Sequence, residues 1–219
     1  MHILRRAPGH LQERNLMDTA RPTSDIAFTA KVKEFQAKNG SREAYAKMEA
    51  RGGWNDRITP QLAEFIAQRN SFYIATVNAD GHPYIQHRGG PRGFLKPLDD
   101  RILAMADFRG NRQFISQGNL AENSKAFIFL MDYANRRRIK IWGDAWMVEG
   151  DAALTEAVMP ADYAAVPERV LLFKIAAWDP NCPQHIPRKL DADEVDALLA
   201  ERDRRIVDLE TRLAMLGGN

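Results

Sequence analysis

Asp107-Phe108-Arg109-Gly110-Asn111-Arg112-Gln113 is the stretch of this chain with the most chemistry in it. A glycine followed by polar and basic side chains closes a β-like run, Arg101–Asp107, and opens a helix-like one, Asn111–Gln117. Backbone N–H groups at a helix start have no intrahelical partner and carry partial positive charge, so an anion placed there gains hydrogen bonds and dipole attraction. Arg112 adds a planar fork that can clamp a phosphate through two parallel hydrogen bonds. The same spacing suits a plain helix start with Asn111 as its N-cap, and the residues alone leave both readings open.

Two other stretches concentrate polar groups. Gln86-His87-Arg88-Gly89-Gly90-Pro91-Arg92-Gly93-Phe94 reads as a strand running into glycines. It is either a place where a ligand approaches bare backbone or a bulged corner with Arg88 and Arg92 in solvent. His87 alternates with Gln86 and Arg88, which sends it to the opposite face of a regular strand. Trp178-Asp179-Pro180-Asn181-Cys182-Pro183-Gln184-His185-Ile186-Pro187 is too rich in proline for regular structure. Cys182 and His185 have the types of a nucleophile and base, or of two metal ligands, but no third group stands beside them, and no metal site is expected.

The elements that must position these residues follow from periodicity. Ser71–Val77, rich in β-branched and aromatic residues, the turn Asn78–Gly81 and the extended His82–Arg88 read as a β-hairpin. Further strands are expected at Arg101–Asp107, Lys125–Met131, Arg138–Val148 and Arg169–Ala177. Lys125–Met131 is apolar nearly throughout and is expected to be buried on both faces, whereas Arg138, Lys140 and Trp142 alternate with Ile139 and Ile141 as in a half-exposed strand. Tight turns and a single short helix between strands argue for an antiparallel barrel or sandwich.

The flanks are helical. Residues 1–25 lack apolar period and read as a flexible arm, with Met17 a second possible start. Residues 26–58 hold two short covering helices separated at Asn39-Gly40, with Ser41 as the second N-cap. Thr59-Pro60 supplies an N-cap and a first-turn proline for a helix with Leu62, Phe65 and Ile66 on one side. Residues 189–219 form an amphipathic helix in which Val195, Leu199, Arg202, Ile206, Leu209, Leu213 and Leu216 fall at alternating spacings of four and three. Such a seam packs on its own domain or on a sister subunit. Asp191 and Glu194 suit its cap.

Composition excludes several classes. With 219 residues and 45% hydrophobic content the chain supports one good core. A net charge of +2 gives no basis for nucleic-acid binding. One cysteine rules out a disulfide framework and fits a reducing compartment. The sequence contains no run of membrane-spanning length, and its N-terminal residues lack the apolar core of a secretory signal, so a cytoplasmic protein without membrane contact is expected.

The run Phe72–Asp151 resembles the pyridoxamine 5'-phosphate oxidase-like family of FMN-binding split barrels. Phe72 to Tyr84 is similar to its opening hairpin, Asp107–Gln113 to its phosphate turn, Asn119–Asn123 and Ala126–Leu130 to its helix exit and next strand, and Arg138–Ala145 to its Val-x-Val-x-Gly-x-Ala-like strand. The resemblance implies a mainly β fold with flanking helices, an antiparallel split barrel over residues 59–188, and a homodimer with FMN at the subunit interface. Asn111, Arg112 and Gln113 match a Ser-Arg-Lys phosphate turn, with one charge lost at Gln113. Asp107 stands where the family has a hydroxyl residue, Arg138 where it has a Gln at the flavin ring, and Gln86 where family oxidases use Arg. Arg88 and Gly89 become ligand residues. An Arg138 beside the ring would favour an anionic reduced flavin.

In the same reading Asn181, Gln184 and His185 belong to a loop that walls the site and sets substrate access. The chain lacks the terminal Arg/His motif with which family oxidases grip the substrate phosphate, since its tail runs on into the heptad helix. The expected function is therefore an FMN-dependent oxidoreductase acting on a small molecule, with pyridoxamine 5'-phosphate a less expected substrate. The alternatives are a flavin carrier or redox sensor, a deazaflavin in place of FMN, and a haem-binding barrel with His87 or His185 as axial ligand.

Overall fold

A computed structural model describes residues 21–181 and 183–217. A 3-10 turn, Thr23–Ile26, leads into α1 (Ala30–Lys38), α2 (Arg42–Glu49) and α3 (Pro60–Ala67). The strands are β1 (Ser71–Val77), β2 (Pro83–Gly89), β3 (Lys96–Pro97), β4 (Ile102–Phe108), β5 (Lys125–Asp132), β6 (Arg137–Val148) and β7 (Pro167–Asn181). Helix α4 (Ile115–Glu122) sits between β4 and β5, α5 (Ala152–Val158) between β6 and β7, and α6 (Ala192–Gly217) ends the chain. The strands form one antiparallel sheet in the order β2-β1-β5-β6-β7-β4-β3.

The sheet rolls around one apolar interior without closing. Phe72 and Ile74 of β1, Ile128 and Leu130 of β5, Ile139 and Ile141 of β6, Leu171 and Phe173 of β7 and Leu103 and Met105 of β4 meet there. Leu62, Phe65 and Ile66 of α3 plug one side, as the stripe on that helix predicts. Thr59 caps α3 by accepting from the Leu62 N–H, and Pro60 starts it, as its sequence requires. β6 bends around the core at a register shift between Trp142 and Gly143, where an added Cβ would lie 2.1 Å from the Lys174 carbonyl. Only glycine fits there.

The strand expected to be buried on both faces is a different one. β5 alternates, with Phe127 and Phe129 half-exposed, while β4 is buried from Ile102 through Asp107. Its back is covered by α5, a helix absent from the sequence reading, through Leu154 and Val158 against Ile102, Ala104 and Ala106. β6 alternates as expected. The outer side of β5 and β6 carries an aromatic ladder instead: Phe127 meets Trp142, Trp142 stacks on Trp54 at 4.7 Å, and Trp54 meets Phe28, which meets Tyr45. These contacts hold α1 and α2 on the barrel. The break at Asn39-Gly40 is as predicted, but Ser41 takes helical backbone angles and makes no side-chain cap bond.

The arm expected over residues 1–25 lies outside the described residues up to position 20, and its last part is docked. Thr23 donates from its N–H to Gly52 O at 3.1 Å, Ser24 is buried, and Asp25 pairs with Lys33 at 2.6 Å. At the other terminus, Glu194 accepts from the Asp191 N–H as half of a capping box, while the Asp191 carboxylate accepts from Asn70 and Arg92.

Candidate functional site

The open seam of the roll, between β2 and β4, is a cleft of about 340 Å³. The two-residue period of β2 turns Tyr84, Gln86 and Arg88 toward it and leaves Ile85 exposed on the other face, while the exposed His87 also reaches the cleft edge. β4 contributes Met105 and Asp107, β6 Met147 and β7 Arg169. The loop 108–114 and the first turn of α4 complete the wall.

An ionic cluster bridges this gap where no strand pairing does. Arg88 on β2 lies 2.7 Å from Asp107 on β4, and Arg169, the cross-strand neighbour of Asp107, lies 3.6 Å from its other oxygen. All three are largely buried. Arg169 also pairs with Glu168 at 2.8 Å, donates to Gln117 and lies over the Phe114 ring. Arg88 Nε, Arg169 Nε and Asp107 Oδ1 are inaccessible and without hydrogen-bond partners. Burial raises the Asp107 carboxyl above its ordinary value, and the opposing charges of Arg88 and then Arg169 offset this only in part. Asp107 Oδ1 is thus ion-paired with Arg88 without hydrogen-bond geometry, and the Arg88 and Arg169 Nε groups are left to donate to a polar group entering the cleft.

The loop 109–114 is not the start of a helix. Arg112 and Phe114 hold left-handed backbone angles, φ 58° and 57°, which a helix cannot contain, so α4 begins at Ile115 rather than Asn111. Asn111 Oδ1 accepts from the Gln113 N–H at 3.3 Å, so it caps the loop and not the helix. Phe114, the true N-cap position, offers no side-chain acceptor. The free N–H groups of the α4 first turn therefore belong to residues that line the cleft, with Arg112 exposed at its rim. Two non-glycine residues in the left-handed region within one short loop is a costly arrangement of the kind that clusters at ligand sites.

Gln86, Arg88, Gly89, Asp107, Asn111, Arg112 and Gln113 are thus brought together. Ser116 fixes Gln86 by donating to its Oε1 at 2.6 Å, and Asn119 at the next turn donates to the buried Thr76 hydroxyl at 2.9 Å. The glycines beside them have packing reasons. A Cβ on Gly89 would meet the His87 ring at 3.1 Å, one on Gly90 would meet Phe94 at 2.8 Å, and Gly93 has a positive φ of 76° against Ala67. The glycines are therefore accounted for by packing and turn geometry, with no bulge in the β1–β2 register, and Arg88 is not in solvent. Arg92 binds Asp191 and Glu194, which ties the start of α6 to the barrel.

Arg138 is not among the cleft residues. It pairs across from Met131 and Asn181 at the start of β6, nine residues before Met147 and roughly 30 Å along the strand. The loop after β7 lies at that same end. Gln184 and His185 are exposed, and Ile186 shares a second cavity with Ala134, Asn135 and Arg136. Asn181 is the last residue of β7, and Cys182, with any pairing to His185, falls outside the described residues. Arg169 is the residue that sequence reasoning missed. Its signal was a lone arginine entering an apolar strand, but that signal gives no partner until the β4–β7 register sets it beside Asp107.

A family model described as pyridoxamine 5'-phosphate oxidase matches residues 58–182. The match spans more than half of the chain, and the protein belongs to the pyridoxamine 5'-phosphate oxidase family, whose split barrel the rolled, unclosed sheet represents. Among solved structures, an FMN-binding protein from Syntrophomonas wolfei is 14% identical over 67% of this chain and 97% of its own, with a TM-score of 0.45. Group A Streptococcus HupZ is 19% identical over 61% of this chain and 99% of its own, at 0.44. The General Stress Protein 26 from Bacillus anthracis is 15% identical over 54% and 89%, at 0.41. No curated protein matches. Among the described residues no helix is long and apolar enough to cross a membrane.

Proposed function

We propose that the β2–β4 cleft binds FMN and that the protein is a cytoplasmic, FMN-dependent oxidoreductase acting on a small molecule. The observation that carries this is the buried Arg88–Asp107–Arg169 cluster, with its unpaired atoms, beside the uncapped first turn of α4. Membership of the family supports a flavin as the ligand. When bound, FMN supplies hydride and electron transfer through its own ring.

The protein's part is binding and charge. Arg112 and the N–H groups of Ile115 to Gln117 would hold the phosphate, and Gln86, oriented by Ser116, would donate its amide to the bound ligand. Arg88 and Arg169 present guanidinium charge to a carboxylate that burial keeps easier to protonate than usual. Arg138 and Asn181 pair at the opposite end of β6 and β7, so within one chain they are remote from this cleft, and a second copy would carry them to it. A homodimer with flavin at the interface is the assembly that unites the two sets.

The visible spectrum of the purified protein, with any released chromophore identified by mass, tests the reading. Flavin bands that return on adding FMN support it, and Arg112→Ala then weakens FMN binding in titration calorimetry without unfolding the protein. A deazaflavin mass or a Soret band would replace FMN by those alternatives, and a protein that takes up no chromophore would end the flavin reading. Bleaching by NAD(P)H or by substrate without oxygen separates an enzyme from a carrier.

A further inference from the structure

Helix α6 carries an apolar stripe that stays exposed among the described residues. Val195, Leu199, Ile206, Leu209, Leu213 and Leu216 are 37% to 79% exposed. Beyond its first turn, α6 makes no hydrogen bond or ion pair to another element among the described residues. Its links to the barrel are those of Asp191 and Glu194 with Asn70 and Arg92. An isolated helix with so much apolar surface has its stability supplied by a partner.

The charges flanking the stripe say which partner. With Leu199, Ile206 and Leu213 at heptad position a and Val195, Arg202, Leu209 and Leu216 at d, position e is acidic throughout, as Asp196, Asp203 and Glu210. Position g holds Leu198, Arg205 and Arg212. In a parallel pair of helices, g faces e of the next heptad on the partner, so Arg205 meets Glu210 in both directions. In an antiparallel pair, e faces e and g faces g, which sets acid against acid and arginine against arginine. Within one helix Arg205 and Arg212 share only Asp208, at 3.2 Å each, in exposed pairs that exchange at little cost. Arg202, one charge in an otherwise apolar seam, fixes the register, as a single polar core position does.

We infer that α6 is one strand of a parallel, two-stranded coiled coil formed with α6 of a second copy of this chain. The assembly is independent of any cofactor, so failure of the flavin reading leaves it untouched.

Cysteine cross-linking of the full-length protein tests it, with the single native cysteine removed as Cys182→Ser. In a parallel pair, Leu216→Cys puts two thiols across the seam within disulfide reach, whereas an antiparallel pair separates them by roughly 35 Å. Mild oxidation is expected to link Leu216→Cys chains at least tenfold faster than Thr211→Cys chains, whose thiol lies on the outer face. Adding Glu210→Arg is expected to abolish that advantage, and adding Arg205→Glu to it to restore the advantage. Equal rates for the two cysteine variants, or a monomer in sedimentation at micromolar concentration, would overturn the proposal. That result covers an antiparallel pair, a helix folded onto its own barrel, and a foreign partner.

Discussion

Two buried carboxylates stand near opposite ends of the same barrel, and their surroundings differ. Asp132, at the end of β5, is 1% exposed and has its oxygens fully engaged. Its Oδ1 accepts from the Asn135 N–H at 3.0 Å, the Asn135 amide reaches both oxygens, Arg137 donates twice to Oδ2, and Arg69 lies 3.4 Å away. Burial alone would raise this carboxyl, but the Asn135 and Arg137 hydrogen bonds and the Arg69 charge outweigh it and hold the group below its ordinary value. Its one loose end is Arg69 Nε, whose guanidinium lies over the Phe65 ring at 4.8 Å. Asp107 is 7% exposed and has two arginines beside it but no hydrogen bond to either, and its carboxyl is raised. A carboxylate held by hydrogen bonds fastens a turn; one held by ion pairs alone beside a cleft leaves its arginines free to rearrange.

The largest effect should come from the satisfied end. Asp132→Ala leaves the buried Arg69 charge uncompensated and removes the acceptor that shapes the 132–137 turn. It should lower stability by about 3–5 kcal/mol, the range for breaking a buried pair by deleting one partner. Urea unfolding with an unchanged slope would check it. FMN affinity of the folded fraction should stay as in the wild type. A loss below about 1 kcal/mol would show that hydrogen bonds around Asp132 add nothing beyond surface pairs.

At the cleft end the order reverses, with binding affected more than folding. Arg169→Ala is expected to weaken FMN by about 1.5–3 kcal/mol, or roughly 10- to 150-fold, the range for a charge-assisted hydrogen bond. Calorimetric titration alongside a urea curve measures both. If the variant unfolds readily but its folded fraction binds FMN normally, the cluster is structural and the contrast between the two carboxylates disappears.

The same contrast explains what could be read from the chain. Strands β1, β5 and β6 were legible because their apolar residues alternate or run on in short blocks, and α3 because Thr59-Pro60 writes its start in local chemistry. The loop 109–114 was legible by residue type but not by shape. Nothing in Asn111-Arg112-Gln113-Phe114 announces two left-handed residues, so the helix was placed four residues early. The double burial of β4 depends on α5 arriving from between β6 and β7, and the role of Arg169 depends on a register with Asp107. Both are meetings across long stretches of sequence. Arg138 was assigned to the flavin by position in a motif, and its place at the far end of β6 from this chain's own cleft depends on the β5–β6 and β6–β7 registers.

The smallest effect is the most discriminating, because its sign differs between the two ends. A carboxyl lowered on folding contributes stability that is present above its unfolded value, near 3.9, and is lost as pH falls through the lower folded value. Asp132 should therefore contribute a drop in stability below about pH 4, which Asp132→Asn would flatten. A carboxyl raised on folding does the opposite. Between its unfolded value and the higher folded one, the native state holds the extra proton, so stability falls as pH rises through that window. Asp107→Asn removes this cost. It should leave stability below pH 4 nearly unchanged and improve it relative to wild type as pH rises toward neutrality. Urea midpoints taken across pH 3 to 7 on wild type and the two Asn variants would show curves that diverge from wild type in opposite directions. FMN added to wild type should shrink the Asp107 difference, since a ligand that completes the hydrogen bonds of Arg88 and Arg169 leaves the cluster with less to lose from the charge on Asp107.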